Sequence, residues 1–334
     1  MPFALHQRPK GIVFLDDDRD YVEMLGEIMP PHWFVRLLLQ PVRCIELLQQ
    51  EIIAREADVW TQQEIINHWH GGASLIPQIL QYWQRSGDTR FALAEVCVVD
   101  YAMPAMSGLQ VLGELAQWHG SRILLTGRAD EQLAVSAFNR GLINQFISKQ
   151  SPDIRTRLTG AIEALCGRPD ARMEQIWRTT LSHQQHEWVC DPPVAHALQA
   201  LVHAQGWVEY VVIGAPFGML GLTADGAASW LQLEPTDKLS ELAELAQSQG
   251  CDAQNVQDIC SGTRLVDLEL QLALGNRHSP ILSSAVVLPA THGQLHAAVF
   301  SLGEAFSPGQ VSSYSQFLAL HGGRQLQEGQ ETSP

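Results

Sequence analysis

The chain has 334 residues, 46% of them hydrophobic and 17% charged, which is enough apolar material for two globular domains and too much for a disordered chain. A formal net charge of −15 argues against a surface that attracts nucleic-acid backbones or anionic lipid. The six cysteines contain no C-x-x-C pair, and neither a signal-peptide core nor eighteen uninterrupted apolar residues occur, so a soluble cytoplasmic protein with no membrane span and buried, reduced thiols is expected.

In chain order, short apolar runs alternate with helical patterns, the signature of a parallel sheet wound with helices on both faces. Strands are predicted at Gly11–Leu15, Phe34–Leu39, Val96–Val99, Ile123–Leu125 and Gln145–Ser148. Helical faces are marked by Val22, Leu25 and Met29, by Leu109, Leu112 and Leu115, and by Ile154, Leu158, Ile162 and Leu165. The 83 positions from Asp17 to Asp100 are too many for a structureless connection. Ile65, Ile66 and Trp69, then Ile76, Ile79, Leu80 and Trp83, instead predict an inserted helical pair at about 56–90, broken at Gly71-Gly72. Its aromatic residues Trp60, Trp69, Tyr82 and Trp83 suit either packing against the first domain or a partner surface.

Four features fall at the C-terminal ends of these strands, where an open α/β sheet builds its ligand site. Asp16-Asp17-Asp18 follows the first strand, Asp100 the third, Thr126-Gly127 the fourth and Lys149 the fifth. Carboxylates gathered in one cleft repel one another unless a divalent cation joins them, and oxygen ligands suit Mg2+. An acidic triplet after a strand also serves as a helix N-cap, so the combination with Asp100, Thr126 and Lys149 carries the metal reading.

With Phe-Leu-Asp-Asp-Asp at the first strand and Asp100-Tyr-Ala-Met-Pro-Ala-Met-Ser-Gly108 around the third, residues 11–165 closely resemble the response-regulator receiver family of two-component signalling. The resemblance implies a flavodoxin-like, doubly wound five-stranded parallel sheet of order 2-1-3-4-5, to which the residues themselves add the helical insertion and a separate α+β domain after it. It implies Asp100 as phospho-acceptor, with Asp16, Asp17, Asp100 and the Ala102 carbonyl around Mg2+. Thr126 and the Gly127 amide would hold phosphoryl oxygens, Lys149 would pair with the phosphoryl group, and Thr126 with Phe146 would form the switch. The implied partners are a sensor histidine kinase or phosphotransfer protein. Three positions depart from the usual pattern: Gln150 follows Lys149 where many receivers have proline, Ala102 lies two beyond the acceptor, and Arg128 two beyond Thr126.

The domains read from the sequence are a receiver at 8–166, a linker helix within 167–190, an α+β domain at 191–325 and a disordered tail at 326–334. The linker helix is predicted at Ala171–Gln184 and a further helix near Ala195–Ala204. Beyond them come a strand at Val208–Ile213, a hairpin turning at Ala224-Asp225-Gly226, and a second hairpin of Leu282–Leu288 with Leu295–Leu302. A last helix is predicted at Gly309–Leu320. The segment Glu209–Trp230 resembles the first hairpin of a PAS-type sensor module. His68 and His70 are structural or surface residues, since alternate helical positions face apart, and His183 and His186 are exposed near a helix end.

The expected function is that of a phosphorelay response regulator whose second domain is a non-DNA-binding interaction or sensing module, working as a homodimer or with a protein partner. The competing readings are an output enzyme acting on a nucleotide or phosphoprotein, and DNA binding. The signatures of cyclic-dinucleotide enzymes are absent, and Asp237–Gln249 carries one lysine against three acidic residues, which disfavours a recognition helix.

Overall fold

The structure is a computed structural model describing residues 2–104, 106–127, 131–275, 279–303 and 313–322. In chain order the elements of the first half are β1 (His6–Gln7), β2 (Gly11–Leu15), α1 (Arg19–Ile28), β3 (Phe34–Leu38), α2 (Pro41–His70), α3 (Leu75–Arg85), α4 (Gly87–Ala92), β4 (Ala94–Asp100), α5 (Gly108–Glu114), β5 (Ser121–Thr126), α6 (Glu131–Asn139), β6 (Gln145–Ser148) and α7 (Ile154–Cys166). The chain continues with α8 (Ala171–Arg178), α9 (His183–Cys190), α10 (Pro192–Ala204), β7 (Trp207–Gly214), β8 (Phe217–Thr223) and β9 (Ala228–Pro235). It ends with α11 (Leu239–Ser248), α12 (Ala253–Cys260), β10 (Arg264–Val266), α13 (Leu268–Leu274), β11 (Leu282–Ser284), β12 (Val286–Leu288), β13 (Leu295–Ser301) and α14 (Tyr314–His321).

The chain forms two compact units. One comprises Pro9–Asp58, Asp88–Arg168 and the described residues from Gln316 onward. Its five strands are all parallel in the order β3-β2-β4-β5-β6, which is the flavodoxin-like order 2-1-3-4-5 predicted from the sequence. Every residue of β2 and β3 is buried, as expected of strands covered on both faces. Alternation along the strands divides the core into two apolar layers: Val13, Leu15, Cys97 and Val99 face one, while Ile12, Phe14, Val96 and Val98 face the other. The middle of α2 is held by buried charge. The Glu51 carboxylate takes Arg36 at 2.5 Å and the Ala94 amide at 2.8 Å, and Arg55 reaches Glu95 at 2.8 Å and the Ala94 carbonyl at 3.0 Å. Phe317 of α14 packs edge-on against Phe34, with ring centroids 4.8 Å apart.

The other unit comprises Met1–Arg8, Val59–Gly87 and the described residues within Pro169–Ser315. Its main sheet has the order β1-β7-β8-β9-β13-β12, antiparallel throughout, and β10-β11 form a small second sheet. Ile66, Leu75, Ile76, Ile79 and Trp83 share its core with Trp177, Leu198, Val212, Leu220 and Trp230. The helical pair expected at 56–90 therefore differs from its sequence reading in two ways. Its first helix is the continuation of α2, because no glycine or proline interrupts residues 42–70, and its apolar faces serve the antiparallel unit's core.

Two further expectations change. The single helix predicted at Ala171–Gln184 is two, α8 and α9, because Ser182 and Gln185 form a reciprocal capping box that starts a new helix. The first arm of the second hairpin is divided at Ala285, so that β12 pairs with β13 while β11 pairs with β10. The Ala224-Asp225-Gly226 turn is as predicted, with Gly226 at φ 91°. Of the helix predicted at Gly309–Leu320, the described part is α14, and the tail 326–334 lies outside the described residues, as does Arg128.

Candidate functional site

The sequence builds an acidic cleft where β2 and β4 end. Asp16 closes β2, and its Oδ1 accepts the Asp18 amide at 3.0 Å; Asp18 in turn caps α1 by accepting the Tyr21 amide at 3.2 Å. The triplet thus divides its work, with Asp18 as the cap and Asp16 and Asp17 left for the cleft. Asp100 is the last residue of β4, and its Oδ2 accepts the Ala102 amide at 3.1 Å. Carboxylate oxygens of Asp16, Asp17 and Asp100 lie within 4.8 Å of one another; Asp16 and Asp100 are buried and Asp17 is exposed. Gly108 permits this strand end, because a Cβ there would meet the Asp100 carbonyl oxygen at 2.2 Å.

Lys149, one residue beyond β6, reaches Asp16 Oδ2 at 2.7 Å and Asp100 Oδ1 at 2.8 Å. Its reach is kept although Gln150 replaces the usual proline. Burial opposes the ammonium charge, but the hydrogen bonds and charges of Asp100 and Asp16 outweigh it and raise the lysine pKa. Asp16 is also raised: desolvation outweighs the help of Lys149 and the Asp18 amide, and the Asp100 charge adds repulsion. Thr126, the last residue of β5, is fully buried, and its hydroxyl has no hydrogen-bond partner among the described residues. Gly127 follows it at the same strand end. Phe146 is half-buried beside the Val99–Leu124 layer, in register with Leu124.

Sequence reading missed Tyr21. Its ring lies under the Lys149 ammonium, 4.5 Å from centroid to nitrogen, and burial followed by the mixed local charges pushes its hydroxyl up to about 12. The signal was present only as spacing, since Tyr21 stands three residues after its cap, on the first turn of α1. Among the described residues no other group of three His, Cys, Asp or Glu side chains converges as a metal site does, so His68, His70, His183 and His186 form none. His183 is exposed beside Glu187 at 3.5 Å, and His186 lies 3.6 Å from the Cys190 sulfur. The expectation that the cysteines are buried holds for Cys44 and Cys97; Cys166, Cys190 and Cys251 are partly exposed and Cys260 is exposed, all as free thiols.

The parallel sheet, its strand order and the acidic cleft at its strand ends define the receiver fold of response regulators. No protein-family model and no curated protein matches the sequence. The solved structure of the response regulator LqsR from Legionella pneumophila is similar at 22% identity and a TM-score of 0.68, covering 96% of this chain and 97% of that one, so the likeness in fold extends beyond the receiver segment. Two receiver domains match in part. That of a Clostridium thermocellum protein has 17% identity, a TM-score of 0.31 and coverage of 48% of this chain and 95% of its own. The BeF3-activated DrrB receiver domain has 15% identity, a TM-score of 0.31 and coverage of 48% and 99%.

Proposed function

We propose that the chain is a response regulator whose Asp100 accepts a phosphoryl group from the phosphohistidine of a sensor histidine kinase or phosphotransfer protein. The observation that carries this reading is the convergence of three carboxylates within 4.8 Å, with Lys149 bridging two of them. A carboxylate oxygen of Asp100 attacks phosphorus; the P–O bond forms as the P–N bond breaks, and the imidazole leaves with the electron pair. Lys149 then offsets charge on the phosphoryl oxygens, to which the Thr126 hydroxyl and the Gly127 amide donate. The buried, unpartnered Thr126 hydroxyl supports that assignment, because such a group ordinarily has a partner.

The hard oxygen donors of this cleft fit Mg2+, held by Asp16, Asp17, Asp100 and the Ala102 carbonyl. Bound Mg2+ supplies neutralising charge to the transferred oxygens. When Thr126 turns toward the phosphoryl group, Phe146 moves into the space vacated, and the surface around α6 and β6 changes state. The antiparallel unit is an interaction or sensing output that this change exposes or dimerises. A PAS-type relationship for that unit is supported only by its first hairpin. The net charge of −15 and the acid-rich start of α11 support an output that does not read DNA. No described helix is long and apolar enough to cross a membrane, in keeping with a cytoplasmic role.

Incubation of the purified chain with a small acyl-phosphate donor and Mg2+ is expected to give one phosphoryl group per chain, labile to hydroxylamine. The mark is expected to vanish in Asp100→Asn and to need Mg2+. Undiminished labelling of Asp100→Asn would overturn the assignment.

A further inference from the structure

The antiparallel unit holds a cavity of about 760 Å³ at the tip of the β7–β8 hairpin, a volume suited to a small organic ligand. Its walls come from α9, the hairpin tip, the end of β9, α11 and α13. Trp188, Phe217, Leu242 and Leu272 give it apolar surface, whereas Glu234, Glu241, Asp237 and Glu269 make its charge negative. Lys238, the one lining cation among the described residues, is occupied by Glu241 at 2.8 Å and acts on Glu234 only as a nearby charge. Among the described residues, no cation lies within ion-pair distance of Glu234 or Glu269.

A second observation points to an occupant. Gln232 stands two residues before Glu234 on the same face of β9 and is 1% exposed, yet its amide oxygen has no hydrogen-bond partner among the described residues. Its side chain is turned toward the Glu234 carboxylate. Buried amides are rarely left so unless something else completes them. A small divalent ion does not fit, since Glu234, Glu241 and Glu269 do not bring three oxygens together as Asp16, Asp17 and Asp100 do. A larger organic cation does.

We propose that this cavity binds a small amphiphilic amine, with its ammonium head between Glu234 and Glu269 and its hydrocarbon body against Trp188, Phe217 and Leu272. Aromatic walls favour such a head as well as the body. The proposal deepens the reading of this unit as a sensing module and rests on that reading only for its purpose; binding itself does not depend on Asp100.

The test is calorimetric titration of the full chain at about pH 8, where alkylammonium and carboxylates are both charged, with n-hexylamine, hexan-1-ol and hexanoate as probes. Saturable binding of one hexylamine per chain is expected, roughly tenfold or more tighter than hexanol, as a charge-assisted contact implies. Hexanoate is expected not to bind. Glu269→Gln and Glu234→Gln are each expected to erase the preference for amine over alcohol, and Leu272→Trp, at a site 81% exposed, to block both probes without disturbing the core. Hexanol binding as tightly as hexylamine, an amine preference that survives both glutamine variants, or displacement of hexylamine by equimolar magnesium chloride would each overturn the proposal. Asp100→Asn is expected to bind hexylamine like the unaltered chain, so a failure of phosphoryl acceptance and a failure of amine binding are read separately.

Discussion

At the scale of single residues, burial decides which charged groups can work. Glu234 is raised to about 7, first by desolvation and then by the Glu269 charge, against the lowering effect of Gln232. A carboxylate whose folded pKa lies above its unfolded value binds its proton more tightly when folded. The associated stability is therefore fully present below the unfolded value of about 4.5 and is lost as pH rises toward 7. The loss should amount to roughly 2–3 kcal/mol for a group mostly shielded from water. Urea unfolding followed across this range should show stability of the antiparallel unit falling with pH in the native sequence and a flatter profile in Glu234→Gln; a rise with pH would refute the assignment. The Arg36–Glu51 pair gives a second case. Arg36→Met leaves the buried Glu51 carboxylate with only the Ala94 amide among the described residues and should cost about 3–5 kcal/mol, read as a lower denaturation midpoint of the parallel unit.

At the scale of elements, strand ends and helix starts position the chemistry. Asp100 is itself the last residue of β4, and the chain must then leave the strand past Gly108, at the start of α5. A methyl at Gly108 would collide with strand backbone and not with a flexible side chain, so Gly108→Ala must shift either Asp100 or α5. The expected outcome is a loss of about 1–3 kcal/mol and slower phosphoryl acceptance. Unchanged labelling kinetics would show that β4 and α5 absorb the methyl without moving the acceptor. The helix pair α8–α9 teaches the same lesson in reverse: one serine with a glutamine three residues on outweighed an apolar pattern that could have run through.

At the scale of the whole molecule, the chain crosses between its two units more often than its linear order suggests. Val59–Gly87 lies within the stretch that connects β3 to β4, yet Trp83, Ile76 and Ile79 are buried with Trp177 and Trp230. Trp83→Ala should therefore weaken the antiparallel unit by about 3–5 kcal/mol. Hydrogen exchange followed by mass spectrometry should show new lability in Trp207–Pro235 while Ala94–Asp100 keeps its protection. Lability confined to Ala94–Asp100 would place the helical insertion with the parallel sheet instead.

What the sequence determined by itself is the parallel sheet and its acidic cleft. Short strand-forming runs are local signals, and Asp16, Asp100, Thr126 and Lys149 each follow one directly, with Asp17 next to Asp16, so the strand pattern alone brings them to one edge. Tertiary structure decided what local pattern cannot carry. An amphipathic helix states that it has an apolar face but not which core receives it, which is why the destination of Val59–Gly87 and the ring of Tyr21 beneath Lys149 were not legible in advance. The cavity around Glu234 is of the same kind: its walls come from elements as far apart in sequence as α9 and α13, and only their packing gives one glutamate a charged neighbour, a shielded site and a buried amide beside it.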